Sequence, residues 1–238
     1  MVREADGGAG SSGNPCPGLD LGLHAPSPGK AVSKAATAIC ELEVRILNAI
    51  GTISHPNIVG FLGSIKKEGK QSGTSEYYIL MEYCPSGSVI TEMQAAMDAG
   101  RRFSEKKILE IFVSALKALQ TLHSMQPPVA HRDIKIENIL IAADGSYKLC
   151  DFGSCTNRSQ VYQHATEMKA EQDIIERHST AMYRAPEMCD LYRARSRNWA
   201  INEKVDVWAM GSVLFMLTYF RHPFEEGGTL GILSGRLE

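Results

Sequence analysis

VAHRDIKIENILIAADGSYKLCDFG, residues 129–153, decides how the rest of this chain is read. Two short apolar runs flank Asp144-Gly145, the dipeptide that favours a tight hairpin turn, so this stretch predicts two short antiparallel strands. Just before the hairpin lie Asp133, Lys135 and Asn138, and just after it Asp151-Phe152-Gly153. The two aspartates stand eighteen positions apart, and Ala185-Pro186-Glu187 follows downstream.

Outward from this centre, periodicity predicts three helices and two further strands. FSEKKILEIFVSALKALQTLHSM (103–125) has helical apolar spacing, with Ser104 as N-cap. VDVWAMGSVLFMLTYF (205–220) is apolar almost throughout and reads as a buried core helix around one acid, Asp206. It falls short of the ~20 residues that cross a bilayer. ATAICELEVRILNAIGTI places Ile39, Leu42, Ile46, Leu47 and Ile50 near one face, with Gly51 as the stop signal. NIVGFLGSI (57–65) and YYILMEYC (77–84) read as strands joined by a polar surface loop, KKEGKQSGTSE. Residues 1–33 are rich in Gly, Pro, Ala and Ser and show no period, which predicts disorder. The order predicts an α+β protein: a small mixed lobe leading into a mainly helical one.

Composition narrows the class. The 238 residues carry a formal charge of −2, which gives no reason to expect a nucleic-acid partner. The basic run Tyr192–Arg197 reads as a solvated loop. Six scattered cysteines without a C-x-x-C pair suggest reduced thiols. No signal peptide or transmembrane segment is visible, so the expectation is a cytoplasmic protein.

H-R-D-x-K-x-x-N, D-F-G and A-P-E in this order and spacing resemble the eukaryotic protein kinases. The resemblance implies a bilobal kinase-like fold, with ATP and Mg²⁺ as cofactors and protein substrates as partners. It also implies roles. Asp133 would orient or accept the proton of a substrate hydroxyl, and Lys135 would reach the transferring phosphate. Asn138 and Asp151 would hold the metal. Lys135 with Thr180 resembles the serine/threonine type, Thr180 lying close to Asp133. Ser179 and Thr180 would be the first residues to test for regulatory phosphorylation. Arg132 would bind a phosphate on the segment after Asp151. LMEYC (80–84) resembles the hinge that holds adenine: Met81 as gatekeeper, Glu82 and Cys84 through backbone groups, and Leu140 beneath the ring. Asp206 resembles the aspartate that holds the catalytic loop from the central helix. His131 and Phe152 would stack with Leu47 and Phe61. CDFGS, ERHSTAMYRAPEM and LTYFRHPF resemble the Numb-associated kinases, which include the adaptor-associated and cyclin-G-associated kinases of clathrin trafficking. That implies endocytic adaptors as substrates and a peripheral place at endocytic membranes.

A kinase also carries a glycine-rich phosphate loop and a strand lysine paired with a helix glutamate. Glu43 matches the glutamate; Glu41 lies about 160° round the helix. GAGSSG (8–13) fits the loop pattern and Lys30 its spacing, but Pro15, Pro17, Pro26 and Pro28 argue against paired strands there. GAGSSG therefore reads as tail. Lys30 or Lys34 serving from an unusual strand stays open as an alternative. The predicted organisation is a tail over 1–35 and a partial kinase domain over 36–238, its small lobe about 36–84 and its large lobe about 85–238. Two readings follow: an ATP-dependent serine/threonine kinase, or a kinase-like binding module without phosphate transfer. The resemblance lacks the family's first strands and last helices, and Glu187 has no recognisable partner in the sequence. Folds of this size hold only ~5–15 kcal/mol, so this chain alone is expected to be marginally stable. Limited proteolysis checks that expectation, and a single resistant core with a sharp melting transition would contradict it.

Overall fold

The computed structural model describes residues 2–4, 34–68 and 75–237. The sequence-predicted disorder of residues 5–33, GAGSSG and Lys30 lie outside the described residues.

The small lobe is one long helix on a three-stranded sheet. Helix α1 (Lys34–Gly51) buries Ile46, Leu47 and Ile50, as the apolar spacing requires. It begins at Lys34, inside the expected tail, because Ala35 and Ala36 extend it as strong helix formers. Strands β2 (Phe61–Glu68) and β3 (Ser75–Met81) pair antiparallel, and a third, β1 (Val2–Glu4), pairs with the other edge of β3. The expected tail is thus wrong at residues 2–4: an open sheet edge offers unpaired backbone groups that a nearby extended segment can satisfy. The polar connector is shorter than predicted for a related reason. Lys66, Lys67 and Glu68 pair with Tyr77, Glu76 and Ser75, and the two lysines cover the rings of Tyr77 and Tyr78 at 5.3 and 5.1 Å. Ring-facing stems let charged residues continue the strands.

Residues 55–60, HPNIVG, fasten this lobe to the next. The predicted hairpin is present as β4 (Ile139–Ile141) and β5 (Tyr147–Leu149), with Gly145 in the left-handed turn at φ 82°. The Leu149 N–H donates to the Asn57 carbonyl at 2.8 Å, and the Val59 N–H donates to the Leu149 carbonyl at 3.0 Å. Asn57 Nδ2 adds a bond to the Tyr147 carbonyl.

The large lobe is helical: α2 (Val89–Asp98), α3 (Glu105–His123), α4 (Ala165–His178), α5 (Pro186–Cys189), α6 (Leu191–Ser196), α7 (Val205–Tyr219) and α8 (Gly228–Ser234). Helix α3 starts as predicted, the Ser104 hydroxyl accepting from the Lys107 N–H. Its buried stripe runs Ile111, Ala115, Ala118, Leu119, Leu122. Helix α7 is the predicted apolar helix, but only one face is covered: Val213 and Leu217 are buried, while Val207 and Tyr219 stand exposed. Five helices of this lobe were not expected: α2, α4, α5, α6 and α8. The basic run predicted as a loop belongs to α6, whose N-cap is Asp190 accepting from the Arg193 N–H, and Leu191 and Ala194 face inward. Helix α4 buries Met168, Glu171 and Ile175, a stripe with an acid at its centre.

Ile111 is wholly buried and Leu109, two residues earlier on α3, is about half exposed. Ile111→Ala is expected to cost about 2–5 kcal/mol, and Leu109→Ala less than about 0.5 kcal/mol. Chemical denaturation of the two variants side by side checks the difference.

Candidate active site

Asp206 lies in the first turn of α7 with no exposure, and its carboxylate turns towards residues 131–132. Oδ2 accepts from the His131 N–H at 2.7 Å and Oδ1 from the Arg132 N–H at 2.8 Å. His123, at the end of α3, meets Oδ2 at 2.9 Å. Arg132 needs this grip, because its φ of 65° is left-handed. A non-glycine residue held there costs of order 1–3 kcal/mol.

The loop so held presents Asp133, buried to 8% exposure. Its Oδ1 accepts from the Thr180 N–H at 2.9 Å and the Thr180 hydroxyl at 2.8 Å. Its Oδ2 accepts from Lys135 Nζ at 2.7 Å, and the same ammonium donates to Thr180 Oγ1 at 3.0 Å. Asn138 Nδ2 donates to the Asp133 carbonyl at 2.9 Å, and the Cys150 N–H donates to the Asn138 carbonyl. These bonds draw Asp133, Lys135, Asn138 and Thr180 together as the sequence grouped them, with Asp151 one residue beyond Cys150.

Asp151 also has a left-handed backbone, φ 66°, which swings it out of the β5 strand direction. The buried Cys155 thiol is pushed well up, first by burial and then by the carboxylates of Asp206, Glu43 and Asp151. Glu43 lies on α1, partly buried. Glu41 does not compete: it accepts from Lys66 Nζ and the Tyr77 hydroxyl, each at 3.0 Å. Lys34 is the first residue of α1, so it offers no strand lysine. His131 and Phe152 pack with ring centroids 5.5 Å apart, in the core that also holds Leu47 and borders Phe61.

Asn138 and Asp151 fit a hard dication that arrives with phosphate. The Asn138 amide nitrogen is spent on Asp133, leaving its side-chain oxygen as the atom that could join the Asp151 carboxylate on a metal. Two such oxygens are too few for a cation that wants six, and the described residues contain no cluster of three His, Cys, Asp or Glu able to hold a metal. Mg²⁺ characteristically takes the balance from waters and nucleotide phosphates.

At the other end of the cleft, Met81 is buried and Leu140 partly buried against the same core. The Glu82 N–H donates to the Gly60 carbonyl, and the Cys84 carbonyl accepts from the Gly87 N–H. Neither bond uses the Glu82 carbonyl or the Cys84 N–H, the pair that can address an adenine edge. Burial, then the Glu82 carboxylate, pushes the Cys84 thiol up and keeps it neutral.

Three features escaped the sequence reading. The Glu82 side chain is an anchor, accepting from Lys148 Nζ at 2.8 Å and the Gly60 N–H at 3.0 Å. His178 closes α4 near Asp133 and Asp151, its ring held below the usual imidazole range by burial first and Arg177 second. Arg132 has a partner other than the predicted phosphate: its Nη1 reaches Glu171 Oε1 on α4 at 2.6 Å. Only the alternation of buried positions along α4 could have hinted at Glu171.

Residues 28–234 match the protein kinase domain family. A probable serine/threonine-protein kinase of Dictyostelium discoideum is 43% identical over 181 residues, 76% of this chain and 16% of that protein. Actin-regulating kinase 1 of Saccharomyces cerevisiae is 42% identical over 167 residues, 70% of this chain and 25% of its own length. Actin-regulating kinase PRK1 of the same yeast is 38% identical over 185 residues, covering 78% and 22% respectively. The chain thus spans a quarter or less of the length of these relatives.

Glu187 is half-buried, no cation pairs with it among the described residues, and burial raises its carboxyl above the ordinary value. An acid whose folded pKa is raised weakens the fold above that pKa, and the penalty fades as pH falls towards the unfolded value. Glu187→Gln should therefore raise Tm at about pH 7.5, with the gain shrinking towards about pH 4.5. Melting curves of both proteins across that range check the sign.

Proposed function

The chain belongs to the protein kinase family, and from that premise we propose that its site transfers the γ-phosphoryl group of Mg·ATP to serine and threonine hydroxyls of protein substrates. The observation that carries the reading is the division of the Asp133 carboxylate between Thr180 and Lys135. One oxygen faces the residue that borders the incoming substrate; the other holds the cation that meets the phosphate. Asp133 orients the hydroxyl and takes its proton as the oxygen–phosphorus bond forms and the bond to ADP breaks. Lys135 offers a point charge to the transferring group. Mg²⁺, bound with the nucleotide, would neutralise phosphate charge from Asn138 and Asp151. Adenine would lie between Met81 and Leu140, reading the backbone of Glu82 and Cys84, with Glu43 on the phosphate side of the site. The serine/threonine preference is supported by the Lys135–Thr180 contact and by the relatives' names.

The finer placement, among the Numb-associated kinases, rests on the CDFGS, ERHSTAMYRAPEM and LTYFRHPF stretches. Two of the relatives are named for actin regulation. Substrates at the cortical actin and endocytic machinery, in the cytoplasm, follow from that placement.

Phosphate transfer from labelled ATP to serine, threonine and tyrosine peptide libraries tests the reading. The full-length protein is expected to label serine and threonine peptides, and Asp133→Asn to lose roughly 10²-fold or more in kcat while still binding ATP. No transfer by a folded, ATP-exposed wild type would leave the kinase-like binding module as the reading.

A further inference from the structure

A cavity of about 390 Å³ opens between the turn that follows α1 and the last two turns of α3, and none of its lining residues belongs to the catalytic group. That volume lies within the ~300–1,000 Å³ of small-ligand sites. Helix α3 and its cap contribute Lys117, Gln120, Thr121 and Ser124, spaced so that they follow one helix face. The turn contributes Ile53 and His55. Its shape is set by its own backbone. The Ile53 N–H donates to the Ile50 carbonyl at 2.9 Å, the Ile58 N–H donates to the His55 carbonyl at 3.2 Å, and Ser54 between them is left-handed at φ 48°. The concavity is thus a standing feature of the fold.

The polar groups that meet here are donors. His55 Nδ1 accepts from the Asn57 N–H at 3.1 Å, so the neutral ring carries its proton on Nε2. Burial first and the Lys117 ammonium second hold that ring below the usual imidazole range, and no carboxylate acts on it. Among the described residues, Lys117 Nζ, the Gln120 amide, the Ser124 hydroxyl and His55 Nε2 have no hydrogen-bonding or carboxylate partner, and no acid lines the cavity. A lysine on an open helix face is ordinarily just solvated. On this same helix, however, Lys106 and Lys107 both find carboxylates, Glu110 and Glu92. Ile53, about half exposed, and Met125, partly buried, set an apolar wall beside the donors. The group that suits such a cavity accepts and does not donate. A phosphate monoester brings three terminal oxygens and nearly two charges at neutral pH, where a carboxylate brings two oxygens and one charge.

We propose that this cavity is a second, non-catalytic binding site for a phosphate monoester, with Lys117, His55, Gln120 and Ser124 on its oxygens and Ile53 and Met125 against its organic part. The ester can be a free small molecule or a phosphorylated side chain of a partner protein; the recognising chemistry is the same. In the test, the nucleotide site of the full-length protein is filled with an ATP analogue that cannot transfer phosphate. Phenyl phosphate, benzoate and a pentapeptide centred on phosphothreonine are then titrated in. Calorimetry gives the affinity, and hydrogen exchange of residues 52–58 and 117–125 gives the place. Phenyl phosphate is expected to bind saturably and slow exchange in both segments, and benzoate to bind about 10-fold more weakly or worse. Lys117→Gln should weaken the ester by about 10-fold or more, the loss of one charged hydrogen bond. Lys117 is exposed, so this variant leaves the core intact. His55→Asn keeps an acceptor for the Asn57 N–H and removes the Nε2 donor, and should weaken binding with little change in Tm. A peptide that binds more tightly than phenyl phosphate assigns the site to a phosphorylated partner, and the reverse order assigns it to a free ester. No saturable binding of either ester up to about 10 mM overturns the proposal. Affinity untouched by Lys117→Gln, or protection confined to other residues, does the same. Benzoate binding as tightly as phenyl phosphate overturns the choice of phosphate.

Discussion

The Asp206 carboxylate is the constraint on which the rest of the site depends. It sits in the most apolar helix of the chain, fully removed from water, where an unpaired charge would be prohibitive. Two backbone N–H groups and one imidazole pair with it. Each of these donors belongs to a segment that must then stay put: the end of α3 and the first two residues of the catalytic loop. The first turn of α7 adds its own favourable dipole for a carboxylate. Removing one partner of such a buried arrangement costs about 3–5 kcal/mol, comparable to a large part of a domain's total stability.

From that anchor the site is built by successive hydrogen bonds, each making the next possible. Asp206 fixes the backbone of His131 and Arg132; this aims Asp133; Asp133 gathers Thr180 and Lys135. Glu171 approaches the same two-residue step from the opposite side, through the Arg132 side chain. Backbone and side chain of one strained residue are thus held by two carboxylates on different helices. Both acids bear on the residue that precedes Asp133.

What the sequence made legible follows the range of the physics involved. Short-range signals were reliable: the Asp144-Gly145 turn, the Ser104 cap, and the periodic stripes of α1 and α3 all appear in the structure. The residues of the catalytic loop cohere because they lie within eight positions of one another. Long-range pairing was not readable. Nothing near Arg132 in sequence indicates Glu171, thirty-nine positions away. Helix α4 was hidden because its buried stripe has an acid at its centre, and α6 because its outward face is basic. The two strands ran into their polar connector since lysine stems can lie on tyrosine rings. Residues 2–4 joined the sheet through backbone bonds, which composition does not encode.

The junction between the lobes carries both polar and apolar ties. Asn57 and Val59 exchange backbone bonds with Leu149, and the Glu82 carboxylate joins Lys148 of β5 to the Gly60 N–H. Gly60 permits that approach: a Cβ there would stand 3.2 Å from Glu82 Oε2. The end of β3 is therefore fastened to the hairpin that leads into Asp151. Helix α1 is fastened differently. Its Glu41 bonds to Lys66 and Tyr77 of its own lobe, both on exposed or part-exposed ground, where such contacts are worth little. Its hold on the site is apolar: Ile46, Leu47 and Ile50 are buried in the core that also takes Leu149 and Phe152, so α1 and the hairpin share one packed interior.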